Sequence, residues 1–191
     1  MYIMPPCSPP QGSTSPFVYA DGVFSDDQLD WILKYAEKLE LHNAETVEYS
    51  EDYRKSYVSP INNGDETAWL FETVADVTHK LNSNYYRFDL SMIGSIQYVV
   101  YHGHEGGKYD WHHDYNEGLS PSRKLTVVLQ LSDPSEYEGG QLELFSDPLI
   151  QIPKKKGMMC MFPSFSYHRV TPVLSGTRKV LVFWIWGPPF S

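Results

Sequence analysis

From Met92 onward the apolar residues of this 191-residue chain fall at every second position, in short runs broken by turn clusters. The runs span 96–102, 108–113, 124–131, 141–145, 149–152, 158–162, 168–173 and 178–186. Between them lie Gly106-Gly107, Asp133-Pro134, Glu138-Gly139-Gly140, Asp147-Pro148, Pro163-Ser164 and Ser175-Gly176. A period of two marks a strand with one buried face, and glycine, proline and aspartate supply the turns. Strands this short and this regularly spaced predict a mainly β fold with flanking helices, built on a double-stranded β-helix (jelly-roll, cupin-like) core over about 92–187. No internal repeat is visible.

Ahead of the alternating region the pattern is helical. Ser25-Asp26-Asp27-Gln28 puts serine where a helix cap belongs and glutamine three residues on, and Leu29, Ile32, Leu33, Ala36 and Leu39 follow at helical spacing. A second helix is predicted over 65–81, with Trp69, Leu70, Val74, Val77 and Leu81 on its apolar side. Short strands are predicted at 17–19, 47–49 and 55–59. Residues 1–16 carry Pro5, Pro6, Pro9, Pro10 and Pro16 among serine, glycine and threonine, a composition that buries little and predicts an extended arm. The remaining residues, 17–191, are enough for one domain with a sizeable core.

Composition narrows the partners. The formal charge of −9 argues against a nucleic-acid backbone or an anionic membrane surface. Cys7 lies in the proline-rich arm and Cys160 in an apolar run, so a disulfide framework is not expected. No apolar stretch has the length of a membrane span, and no basic-then-apolar leader opens the chain. These features lead to the expectation of a soluble, cytoplasmic protein.

The chemistry concentrates in Tyr109-Asp110-Trp111-His112-His113-Asp114. On extended backbone His112 and Asp114 project to one face, about 6.6 Å apart at Cα, close enough for an imidazole nitrogen and a carboxylate oxygen to meet on one ion. His113 then points the other way. A third ligand from elsewhere would complete the two-histidine, one-carboxylate triad that holds non-heme iron(II). His42 and His79 lie in or beside helices and read as surface residues, whereas His102 and His104 flank the glycine turn and compete for the role. His168 is better placed, opening a strand just after a Pro-Ser turn. Ten residues on, Arg178 begins an almost wholly apolar strand, and a guanidinium buried there needs an anionic partner.

His112-x-Asp114, then His168, then Arg178 resembles the iron(II)/2-oxoglutarate dioxygenase superfamily, and within it the prolyl 4-hydroxylase-like group that includes the PKHD-type hydroxylases. The likeness is carried by the stretches at 106–114, 129–144 and 163–178. The resemblance implies His112, Asp114 and His168 as iron ligands, Arg178 as the grip on the distal carboxylate of 2-oxoglutarate, and Tyr101 as a further co-substrate contact. Gln130 stands where prolyl hydroxylases carry a tyrosine that touches the co-substrate, and its amide can hydrogen-bond a carboxylate in that tyrosine's place. Tyr109, Arg123 and Trp184 fall where prolyl hydroxylases surround the target proline. Implied cofactors are Fe(II), 2-oxoglutarate and dioxygen, with ascorbate as reductant, and the implied partner is a proline-containing peptide or protein. Two other readings stay open: an oxygenase acting on another peptide residue or a small molecule, and a cupin-like module that binds metal or ligand without turnover. The stretches 102–108 and 115–122 flank the ligand pair and are the expected covers of the site.

Overall fold

The computed structural model describes residues 15–44, 53–115 and 122–189. The chain runs β1 (Val18–Ala20), α1 (Asp26–Ala36), β2 (His42–Asn43), β3 (Arg54–Lys55), β4 (Tyr57–Ile61), α2 (Ala68–Tyr85), β5 (Met92–Ile93) and β6 (Ile96–His102). It continues through β7 (Lys108–His112), β8 (Ser122–Gln130), β9 (Tyr137–Gly139), β10 (Leu142–Leu144), β11 (Ile150–Gln151), β12 (Met159–Pro163), β13 (His168–Val170) and β14 (Val173–Gly187). Most of the proline-rich arm, the strand expected at 47–49 and most of the expected cover at 115–122 fall outside the described residues.

Two antiparallel sheets face each other, as the alternating pattern predicts. The larger has the order β1-β12-β8-β14-β6-β4-β2, with β5 and β9 also paired to β14, and the smaller the order β11-β10-β13-β7-β3. The helices cover the outer face of the larger sheet. Leu29, Ile32 and Ala36 of α1 and Leu70 and Val74 of α2 pack there against Val127, Leu129, Leu181, Phe183 and Ile185. A second core lies between the sheets, where Val99, Tyr101, Val128, Cys160, Phe162, Val170 and Val180 meet. The fold is a jelly roll backed by helices, and the inner core opens at one end.

Local sequence explains most element ends. Ser25 Oγ accepts from Gln28 N (3.2 Å) and Gln28 Oε1 accepts from Ser25 N (2.9 Å), the reciprocal cap that opens α1. α2 starts at Ala68 and not at 65, because Thr67 Oγ1 accepts from Gly64 N and donates to Asn62 O, closing a turn ahead of the helix. It also runs past 81 to Tyr85, since the buried Asn82 amide satisfies the N–H and C=O of Phe88 instead of ending the helix. The last strand begins at Val173, five residues before the expected start. Ser175-Gly176, which reads as a turn, is an irregularity within that strand, paired to β9. Gly176 has φ +70°, and a Cβ there would lie 1.9 Å from the Glu136 carbonyl oxygen. The acidic segment 133–138, which joins two of the turn clusters, folds into a capped 3₁₀ turn followed by β9, because Tyr137 turns inward and is buried.

Burial also sets an alkaline limit on stability. Burial pushes the Cys160 thiol up to about 12 and Tyr98 up to about 12. Both groups hold their protons more tightly folded than unfolded, so their contribution is complete below the ordinary thiol pKa and is lost as pH rises toward the folded values. Denaturant midpoints are expected to fall steadily above about pH 9, the thiol alone accounting for about 1.4 kcal/mol per pH unit. A Cys160→Ala variant, less stable at neutral pH, should show a shallower alkaline decline; an unchanged slope would remove the thiol from this role.

Candidate active site

The pleat of five strands aims the site residues between the sheets. On β14 the alternate residues Arg178, Val180, Val182 and Trp184 line one cavity, joined by Gln97, Val99 and Tyr101 of β6 and by Thr126 and Val128 of β8. The cavity has a volume of about 590 Å³. His112 and His168 are register partners across β7 and β13, and Arg178 and Tyr101 are register partners across β14 and β6.

Two irregularities add what plain alternation would turn away. Between the pairs His168↔His112 and Val170↔Tyr109, β7 carries an extra residue, so Tyr109 faces the cavity together with His112. Between Ile185↔Leu125 and Trp186↔Arg123, β8 does the same at Lys124, which brings Arg123 to the cavity. Bulges beside functional sites re-aim side chains in this way.

His112, Asp114 and His168 converge. Each is buried, and one ligand atom from each lies within 4.8 Å of the other two. His112 Nε2 is 3.7 Å from Asp114 Oδ1, and His168 Nε2 is 3.5 Å from Asp114 Oδ2. These separations are too long for hydrogen bonds and suit donors arranged about one shared ion. Both rings are fixed from behind: Nδ1 of His112 lies 2.7 Å from the Asp110 carbonyl and Nδ1 of His168 lies 2.9 Å from the Ser166 carbonyl. A carbonyl only accepts, so each Nδ1 bears the proton and each Nε2 keeps its lone pair for the centre. Burial, and next the neighbouring His168, lower the His112 pKa to about 3, which keeps the ring neutral. Burial works to raise the Asp114 pKa, but the two imidazoles and the Thr126 hydroxyl outweigh it and hold the carboxyl below its usual range. Thr126 donates to Asp114 Oδ2 at 2.8 Å, and Asp114 N donates to the Ser164 carbonyl at 2.8 Å. Two imidazoles and one carboxylate, on one side of an open cavity, fit a divalent iron ion with positions left for other ligands.

Tyr109 stacks on His112 with ring centroids 3.5 Å apart. Arg123 lies over Trp184 with its guanidinium carbon 3.8 Å from the ring. The Trp184 indole N–H lies beside the Asp114 carboxylate without closing a hydrogen bond, and Arg123 Nε is likewise buried without a partner. Arg178 is 3% exposed and, among the described residues, has no carboxylate within ion-pair distance. Its stem passes Gly140, where a Cβ would meet Arg178 Cδ at 3.0 Å.

Of the site residues that the resemblance implies, all but Gln130 line this cavity. Gln130 Nε2 donates to the Ser132 carbonyl (3.2 Å) and to the Tyr137 hydroxyl (3.0 Å), and its side chain borders a smaller cavity shared with Arg178, Lys154 and Cys160. His102 and His104 stand apart from the triad. The first faces Thr177 and Tyr57, and the second is exposed beside Glu105. Sequence reasoning missed Tyr53 and Arg54, which reach the cavity because β3 pairs with β7. No local pattern marks them, since a two-residue edge strand has no periodicity to read.

Residues 96–186 match the 2OG-Fe(II) oxygenase superfamily. That stretch runs from the start of β6 into the end of β14 and holds His112, Asp114, His168 and Arg178. A PKHD-type hydroxylase of Synechococcus sp. (strain CC9311) is 46% identical over 83 residues, covering 42% of this chain and 37% of the relative. The chain thus spans well under half the length of such relatives. In fold it is similar to a Pseudomonas putida prolyl-4-hydroxylase, with TM-score 0.75, 18% identity, and 91% of this chain and 94% of that one covered. It is also similar to a Trichoplax adhaerens prolyl hydroxylase in complex with a hypoxia-inducible-factor peptide fragment, with TM-score 0.74, 16% identity and coverage of 90% and 84%. No helix among the described residues is long and apolar enough to cross a membrane.

If Thr126 orients the carboxylate for a metal, Thr126→Val should weaken Mn(II) binding about 10- to 100-fold while His112 and His168 stay in place. Titration followed by electron paramagnetic resonance measures this. Unchanged affinity would show that the hydroxyl has no such role.

Proposed function

We propose that the chain is an Fe(II)- and 2-oxoglutarate-dependent hydroxylase of peptidyl proline, in which residues 17–191 act as one domain. The observation that carries the reading is Arg178: a buried guanidinium without an acidic partner among the described residues, lining the same cavity as a two-histidine, one-carboxylate cluster. An unpaired buried cation is costly, and a dicarboxylate co-substrate supplies the missing charge through a bidentate contact.

His112, Asp114 and His168 would hold the iron. Iron bound there would supply the oxidising chemistry with dioxygen as the oxidant, one oxygen atom turning C–H into C–OH and the other entering succinate as 2-oxoglutarate loses carbon dioxide. The protein's work is to bind, orient and exclude water. Arg178 grips the distal carboxylate of 2-oxoglutarate, and its register partner Tyr101 flanks it with the ring centroid 5.5 Å from the guanidinium carbon. Both amide hydrogens of Gln130 are engaged and its oxygen only accepts, so a direct hydrogen bond to a 2-oxoglutarate carboxylate would require one of those two bonds to be given up. Tyr109 and Trp184 form aromatic walls for a pyrrolidine ring, and burial pushes the Tyr109 phenol up to about 12, so it stays protonated. Arg123 donates to a peptide carbonyl, the group a proline-rich segment offers in place of N–H. The likeness in sequence to PKHD-type hydroxylases and in fold to prolyl hydroxylases supports this substrate over a small molecule. A non-catalytic module of the same fold is disfavoured, because all three cluster residues and Arg178 are present.

Arg178→Ala should weaken 2-oxoglutarate binding by roughly 2–5 kcal/mol and leave Mn(II) affinity nearly unchanged, as read by calorimetry. Unchanged co-substrate affinity would move the grip to another cation. The substrate is tested by succinate formation with Fe(II), 2-oxoglutarate and ascorbate. Proline-rich peptides should stimulate it and alanine-substituted peptides should not; equal yields would end the proline assignment.

A further inference from the structure

The cavity has an unbalanced charge. Among the described residues three guanidinium groups line it, those of Arg54, Arg123 and Arg178, against one carboxylate, Asp114. With the proposal above, on which this inference rests, a divalent ion and the 2-oxoglutarate dianion cancel, and Asp114 offsets Arg178. Two positive charges remain, on Arg54 and Arg123, and both stand on the substrate side. Arg54 lies over Tyr109 with its guanidinium carbon 4.3 Å from the ring, and its Nε donates to Ser56 Oγ at 2.8 Å. Arg123 lies over Trp184 and, among the described residues, reaches only the Asp114 carbonyl, at 3.4 Å, with Nε buried and unpartnered. Among the described residues neither has a carboxylate partner. Stacking fixes the plane of each guanidinium and leaves its edge, where the N–H donors are, free for a ligand. The two aromatic walls proposed for the target ring are therefore the two plates that carry these cations.

We infer that the substrate carries a carboxylate next to the residue that is oxidised, and that Arg54 and Arg123 recognise it. An arginine edge matches a carboxylate bidentately, and Arg123 has N–H donors enough for a peptide carbonyl as well. The protein as a whole carries −9, so it repels an extended polyanion, while the local field of the cavity attracts one or two acidic groups. This favours a peptide carboxylate over a nucleic-acid backbone. Its source is either an Asp or Glu side chain flanking the target or a C-terminal carboxylate close to it.

The test is binding and needs no turnover. Protein loaded with Mn(II) and 2-oxoglutarate is titrated, by fluorescence anisotropy, with short labelled peptides holding one central proline. One peptide has aspartates beside the proline and an amidated end. A second has asparagines instead, and a third is the asparagine peptide cut to a free carboxylate just after the proline. A fourth keeps the aspartates but replaces the proline with alanine. The aspartate peptide, the free-carboxylate peptide or both should bind at least about tenfold more tightly than the asparagine peptide, and whichever does identifies the source. The advantage should shrink with added salt and be lost in Arg54→Gln and in Arg123→Gln. Equal binding of the first three peptides by the unmutated protein overturns the inference and leaves the proline reading in place. Equal binding of the first and fourth upholds the carboxylate and ends the proline reading. No binding by any peptide, or tighter binding of a thymidine oligonucleotide, overturns the inference.

Discussion

β14 is a 15-residue strand that serves two interiors at once. Leu181, Phe183 and Ile185 face the helices, while Arg178, Val180, Val182 and Trp184 face the cavity. A slip of one residue would exchange the faces and press a guanidinium into the layer made by Leu29, Ile32 and Val74. Both edges of the strand oppose that slip. β6 pairs with it from Thr177↔His102 to Val182↔Gln97, and β8 pairs from Val180↔Gln130 to Gly187↔Ser122. The apolar burial on the helix side thus fixes where the charged groups on the other side stand.

The same logic explains what could be read from the sequence. The two-residue period gives strand positions because one face of each strand is buried, and it gives the shared direction of Arg178, Val180, Val182 and Trp184 at once. His112-x-Asp114 is legible for the same reason, although Asp114 lies just past the end of β7 and is held by its own N–H to Ser164. The positions of Tyr109 and Arg123 are not legible from period alone. Each faces the cavity through a bulge, one extra residue that reverses the alternation upstream of it. Only the resemblance to prolyl hydroxylases pointed to them. Ser175-Gly176 misleads in the opposite direction: the pair that signals a turn in an isolated stretch is a distortion inside a long strand once β9 packs beside it. Arg54 could not be found at all, because its place depends on a pairing between strands far apart in the chain.

Polar groups without partners are also unevenly spread. The described residues contain three buried side-chain polar atoms that lack a hydrogen bond, and two of them, Arg123 Nε and Trp184 Nε1, lie in the cavity wall. Folded proteins leave few such groups, because each costs about 1–3 kcal/mol. Two donors side by side at the triad, together with the buried charge of Arg178, make the free site less stable than its surroundings. A ligand that offers carbonyl or carboxylate oxygens would remove that penalty, so part of its binding free energy is set by what the free site lacks.

The division of labour follows from this. Helices α1 and α2 and the outer face of the larger sheet bury aliphatic and aromatic residues with little polar content, and that side can carry the stability of the fold. The inner side is then free to be costly. Among the described residues it holds two imidazoles and a carboxylate at spacings that a bound ion would tighten, and three guanidinium groups against one acid. A protein of net charge −9 with a cation-lined interior repels most anions at long range and holds a few at short range. Selectivity in such a site comes from distance: only a small, locally acidic ligand gains from the cavity more than it loses by approaching the surface.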